Sequence, residues 1–148
     1  MKTLKILILL LSFSINAQFN NNSNQIQTFR LEIEISEIKT QGNLYLAVYN
    51  NAIDFNSRDR SNDRVYYGIT ENVKKGNYMK EITLNEGIYA LKIYIDKNYN
   101  NKFDFNIFGF PKEQYGFSND AMNLFGPPYF EKALFKLNIN KTIKINLR

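Results

Sequence analysis

The 148-residue chain contains no cysteine, no histidine and no tryptophan. Without cysteine there is no disulfide, iron–sulfur cluster, thiolate zinc site, thiol nucleophile or lipidated N-terminal cysteine. Without histidine the usual zinc ligand and the usual catalytic base are both gone. A Ser-His-Asp triad cannot be assembled. What is abundant is aromatic: 12 Phe and 10 Tyr, a composition that suits strands better than helices. With 44% hydrophobic residues, the chain can bury a core without covalent staples.

The first 17 residues read as a secretory signal. Lys2 and Lys5 form a basic start, residues 6–11 with Phe13 and Ile15 form the apolar stretch, and Ala17 is the small residue before a cut at Gln18. The apolar run is too short for a comfortable transmembrane helix. A buried N-terminal helix is the alternative. This divides the chain into a signal peptide (1–17), a flexible, Asn-rich polar leader (18–27) and one domain (28–148), exported to the periplasm or secreted. Cleavage removes two lysines and leaves 17 basic against 14 acidic residues, scattered rather than clustered. That pattern predicts no nucleic-acid partner, which would need a basic stripe, and no membrane span after cleavage.

From Thr28 onward the period is two. Phe29, Leu31, Ile33 and Ile35 alternate with Arg30, Glu32, Glu34 and Ser36, which predicts a strand with one wet face. Further strands are expected at 44–49, 65–70, 78–84, 88–95, 133–139 and 142–147. The turn Asn85-Glu86-Gly87 separates the fourth from the fifth. Residues 52–64, with Asp54, Arg58, Asp59, Arg60 and Asp63, read as a surface loop or short helix. Seven strands and no helical period point to an all-β, antiparallel two-sheet sandwich, with a closed barrel as the competing architecture.

Between residues 96 and 130 the alternation stops, and so long an internal loop must be ordered by something. Asp96, Asn98, Asn100 and Asp104, with the backbone carbonyl of Lys102, occupy positions 1, 3, 5, 9 and 7 of a calcium-loop pattern. Alternate side chains would turn inward around a hard cation. Asn101 stands where an EF-hand has Gly, although Asn tolerates the left-handed turn. Ile107 stands where it has a bidentate Glu, and Glu113 is a candidate to supply that carboxylate. With so few carboxylates the affinity expected is about 10⁻⁴–10⁻³ M. The other reading is an Asx-rich turn without metal, in a chain that holds 22 Asn. Beyond this run, Tyr115, Phe117 and Tyr129 are candidate ligand-binding aromatics, able to stack on sugars or apolar groups; a loop packed on its own rings is the alternative.

The order Asp96-x-Asn98-x-Asn100-x-x-x-Asp104, then Gly109-x-Pro111-x-Glu113-x-Tyr115-Gly116-Phe117-Ser118-Asn119, then Phe125-Gly126-Pro127-Pro128-x-Phe130, resembles a bacterial family known as a domain of unknown function, DUF2141. The resemblance runs over about residues 31–147 and extends to Gly42, Val48, Tyr49 and Asn50 and to Gly87-Ile88-Tyr89-Ala90. It implies a small exported β domain, similar in outline to an immunoglobulin-like or prealbumin-like sandwich, and implies no activity. Family members often carry Gly where this chain has Asn101.

Three functions are compatible with these residues. The first is a non-catalytic binding or accessory module of the cell envelope, stabilised by calcium, with an envelope protein or a glycan as partner. The second is a glycan hydrolase using Asp96, Asp104 and Glu113 as paired carboxylates. The third is a structural interaction protein that needs no metal. No residue is singled out as catalytic, because no nucleophile, base and oxyanion donor come together in the pattern.

Overall fold

The computed structural model describes residues 26–57 and 64–148. The expected signal peptide and most of the leader lie outside them, as do Arg58, Asp59, Arg60 and Asp63. The elements, in order, are β1 (Thr28–Ile38), β2 (Gly42–Tyr49), α1 (Ala52–Asn56), β3 (Tyr67–Val73), β4 (Gly76–Asn85), β5 (Gly87–Asp96) and β6 (Tyr115–Phe117). A 3-10 turn (Ser118–Asp120), α2 (Phe130–Ala133), β7 (Phe135–Leu137) and β8 (Lys141–Asn146) complete the chain.

The alternation in β1 becomes burial. Leu31, Ile33 and Ile35 are buried, while Glu32 and Glu34 are only partly so. Two sheets form on this basis, ordered β4-β1-β8 and β3-β2-β5-β6, with β7 also paired to β5. Their facing sides interlock as a mainly aliphatic core in which Ile33 and Ile145 from one sheet belong to the same cluster as Leu46, Leu91, Ile93 and Leu137 from the other, with the rings of Tyr89 and Phe135 among them. Such residues fill a dry interior at crystal-like density. The fold is therefore an all-β sandwich.

Three details differ from the sequence expectation. There are eight strands among the described residues, not seven, because β6 lies inside the long segment and is too short to show a period. The third strand sits later, at Tyr67–Val73. The pairing is not wholly antiparallel: β8 runs parallel to β1, with Ile33 opposite Ile143 and Ile35 opposite Ile145. After β7 the chain crosses to the other sheet instead of folding back beside its predecessor, so the hairpin rule does not apply.

The polar stretch after β2 does begin as a short helix. Asn51 caps α1, its side-chain oxygen accepting the Asp54 backbone N–H at 2.9 Å. Among the described residues no helix is long and apolar enough to cross a membrane.

Candidate functional site

Asp96 ends β5 and is completely buried. Its two carboxylate oxygens accept the backbone N–H groups of Asn100 at 3.3 Å and Asn101 at 2.7 Å. Asn98 Oδ1 accepts the Asn100 N–H at 3.3 Å, and Asn100 Oδ1 accepts the Lys102 N–H at 2.8 Å. These are nested Asx turns. The side-chain amides of Asn98 and Asn100 both donate to one oxygen of Asp104, at 2.7 and 2.9 Å. Asn101 adopts φ 61°, the left-handed conformation its replacement of Gly requires, and Tyr99 adopts φ 60°.

Glu113 closes the arrangement from the far side of the loop. It is buried, and its oxygens accept the backbone N–H groups of Lys97 at 3.1 Å and Asp104 at 3.2 Å. The two arms are held together by the Lys112 N–H donating to the Asp104 carbonyl at 2.9 Å and by a bridge between Phe105 and Pro111. Gly42 backs the site, since a Cβ there would lie 2.5 Å from the Asp96 carbonyl oxygen. The result is a clasp.

Asp96, Asn98, Asn100, Asp104 and Glu113 are thus brought together, while Lys102 enters through its N–H. The Asn98 amide, foremost, holds the Asp104 carboxyl below its ordinary range. Burial pushes Glu113 up; its two N–H partners pull it back, and the charges of Asp96 and Asp104 add to the rise. Among the described residues no three or more His, Cys, Asp or Glu stand close enough to hold a metal by themselves. Any cation here would draw on the Asn oxygens as well.

The clasp anchors a row of rings. Tyr45 on β2 donates its hydroxyl to Asn101 Oδ1 at 2.7 Å and stacks on Tyr94 of β5, with centroids 4.7 Å apart. Tyr94 meets Phe103 at 5.2 Å, Phe103 meets Tyr115 at 5.9 Å, and Tyr115 meets Phe117 at 5.9 Å. These side chains occupy the face of the five-stranded sheet that points away from the sandwich core. One end of that face is roofed by α1 and α2, through Phe55 and Phe130. The rest is an open groove of about 1830 Å³.

All three aromatics expected to bind ligand line this groove, at different depths. Phe117 is buried at the floor against Phe55, Tyr115 is half-buried in the wall, and Tyr129 is exposed at the rim. Two tips extend the rim: Phe108 and Phe110 on one, Leu124 and Phe125 on the other, all strongly exposed.

The residue that sequence reading missed is Lys92. It lies on the same outward face of β5, and its ammonium donates to the Phe55 carbonyl at the end of α1. It stands 4.5 Å from the centroid of the Phe55 ring and 4.9 Å from that of Tyr49. Burial lowers its pKa to about 8. In sequence it looks like an ordinary wet-face lysine. The signal that could have found it is that residues 88–95 are otherwise apolar or aromatic at every position, the mark of a strand covered on both faces.

The run Tyr115-Gly116-Phe117-Ser118-Asn119 is mainly a joint. A Cβ on Gly116 would come 2.7 Å from Ile145 of the opposite sheet. The buried Ser118 hydroxyl accepts the Leu91 N–H at 2.9 Å and donates to the Ala133 carbonyl at 2.5 Å. It thereby bridges the gap along β5 between β6 and β7. Asn119, at φ 60°, donates to the Leu134 carbonyl at 2.8 Å, and Asp120 accepts from Asn146 of β8.

No curated protein and no solved structure matches the chain. A family profile does match it, over residues 33–145. Clasp, groove and joint all fall within that span, and the chain belongs to the family described as "Uncharacterized protein conserved in bacteria (DUF2141)".

Proposed function

We propose that this protein is an exported, non-catalytic binding module of the bacterial cell envelope, built on a prealbumin-like or immunoglobulin-like sandwich, and that it binds an envelope protein, glycan or other ligand in the aromatic groove. The observation that carries the reading is the continuous row of rings from Tyr45 through Tyr94, Phe103 and Tyr115 to Phe117 on a sheet face left open. A concave, largely apolar surface with a few polar groups is what ligand sites share. Export rests on the pattern of residues 1–17, and N-terminal sequencing of the periplasmic or secreted protein should begin at Gln18. Support for a non-catalytic role comes from Asp96 and Glu113, whose oxygens are already engaged by backbone N–H groups. The alternative, a paired-carboxylate glycan hydrolase, would be installed by turnover on glycans that Glu113→Gln abolishes.

The clasp is read as a weak calcium site that stiffens the groove wall. Calcium would take the place of the two amide donors at Asp104, with Asn98 and Asn100 turning their oxygens inward. It would also relieve the repulsion that the charges of Asp96 and Asp104 exert on Glu113. Melting in millimolar calcium, in magnesium and in EDTA tests this. A calcium-specific rise, lost in Asp104→Asn, is the expected outcome. No response would leave the turn a metal-free joint and put the structural interaction protein in its place.

The groove itself is tested with the neutral fluorophore N-phenyl-1-naphthylamine. Emission should rise with the wild-type protein and fall back in the Tyr45→Ala/Tyr94→Ala double variant. Equal emission from both proteins would sink the reading.

A further inference from the structure

We propose that the groove is a site for a single-chain carboxylate amphiphile, with the carboxylate at the Lys92 ammonium and the hydrocarbon chain lying over the rings between the two apolar rims. The proposal rests on the groove being the binding surface and names what it takes.

The choice of an anion comes from Lys92. Its ammonium lines the groove, donates to one carbonyl and is otherwise faced by the rings of Tyr49 and Phe55. The ion pairs among the described residues are made by Arg30, Arg64, Lys80 and Lys144, not by Lys92. A cation held in so little water gains more from an arriving carboxylate than a surface lysine would, because the attraction is less screened. Burial brings its pKa to about 8, so at neutral pH it still carries the charge whose desolvation an anion would offset.

The choice of a hydrocarbon chain over a sugar comes from the rims. Phe108, Phe110, Leu124 and Phe125, all lining the groove, present 78%, 66%, 96% and 93% of their surface, far beyond what scattered surface residues need. The first tip is closed on itself. Asn106 Oδ1 accepts the N–H groups of Phe108 at 2.9 Å and Phe110 at 3.0 Å. The Asn106 N–H donates to the Phe110 carbonyl at 2.8 Å, and the Gly109 N–H to the Asn106 carbonyl at 3.0 Å. Four of the tip's N–H groups are spent internally, and the side chains of Phe108 and Phe110 offer only carbon. A sugar would need donors and acceptors along its edges, and these rims have few.

Isothermal titration of the full chain at neutral pH, with decanoate and with 1-decanol, separates the contributions. Decanoate should bind at least about tenfold tighter than decanol, the worth of one charge-assisted hydrogen bond. Lys92→Met should bring decanoate to the level of decanol and leave decanol within about twofold, since no charged partner is lost to it. Leu124→Asn with Phe125→Asn should weaken both ligands. Equal affinities in the wild type would overturn the proposal without any variant, as would full decanoate affinity in Lys92→Met. If the neutral fluorophore and decanol bind but decanoate has no advantage, the acid-selective site fails and the groove reading stands. If fluorophore, decanol and decanoate all fail to bind, both fall together.

Discussion

The two faces of the five-stranded sheet are built from different side chains. On β5 the inward set is Tyr89, Leu91, Ile93 and Ile95, aliphatic but for the one ring at its start, and buried against the other sheet. The outward set is Ala90, Lys92 and Tyr94, from which the second cluster and the groove are made. Branched aliphatics interlock when covered on every side, and they lose much when a void opens. Rings offer flat edges and faces that pair well while half exposed. One face therefore holds the fold together, and the other is free to present a surface.

The sharpest break in that comparison comes from the inner face. Ile93→Ala should lower stability by about 2–5 kcal/mol in urea unfolding. A loss under about 1 kcal/mol would mean the inner face repacks, and that the two faces do not differ in kind. Next comes the seam that joins them. Ser118→Ala leaves the Leu91 N–H and the Ala133 carbonyl without their shared partner, at a cost of about 1–3 kcal/mol. Hydrogen exchange at the Leu91 amide should quicken in step, and unchanged exchange would deny the bridge its role. Smaller again is Tyr94→Leu on the outer face. Losing the stack on Tyr45 should cost about 1 kcal/mol, while binding of the neutral fluorophore drops sharply. A stability loss as large as that of Ile93→Ala would show the outer rings to be core, not surface.

The inner faces of both sheets were legible because β1 and β2 alternate without interruption, and period two can place Leu31 and Ile33 on one side of β1, and Leu44 and Leu46 on one side of β2, unaided. The clasp was legible for a similar reason: Asp96, Asn98 and Asn100 stand two apart and fold back on a local turn. Glu113 was a weaker inference, realised because Phe105 and Pro111 bridge the arms and bring position 113 beside Asp104. What stayed hidden depends on distant chain. The parallel β1–β8 pair forms across a crossing between sheets, which no local period records. β6 is held by its neighbour β5 and by Arg148, whose N–H donates to the Tyr115 carbonyl at 3.1 Å. Lys92 is a site residue only because α1, from another part of the chain, sets Phe55 over it.

A different kind of test, by pH and not by truncation, concerns that lysine, and it asks whether the outer face is dry at its centre. Burial lowers the Lys92 pKa from its ordinary 10.5 to about 8, and the unfolded chain keeps the ordinary value. Between those two pH values the unfolded chain binds more protons than the folded one, so stability should rise with pH there. Below about 8 both states are charged and the desolvation cost is present in full. Tyr49 beside it is held above its ordinary 10.0 by burial and then by the charge of Asp54, so it stays neutral through the window. Tyr89, pushed up to about 12, and Tyr94, also pushed up, give the opposite slope only once pH passes the ordinary tyrosine value of 10.0. Urea unfolding between pH about 8 and about 10 should therefore show a rise in the wild type that Lys92→Met removes. A flat wild-type profile would place the ammonium in water, and the groove would then have a wet centre in place of a cation waiting for an anion. A rise that decanoate suppresses would tie the same proton to the same ligand, because an anion at Lys92 restores the ammonium that burial had disfavoured.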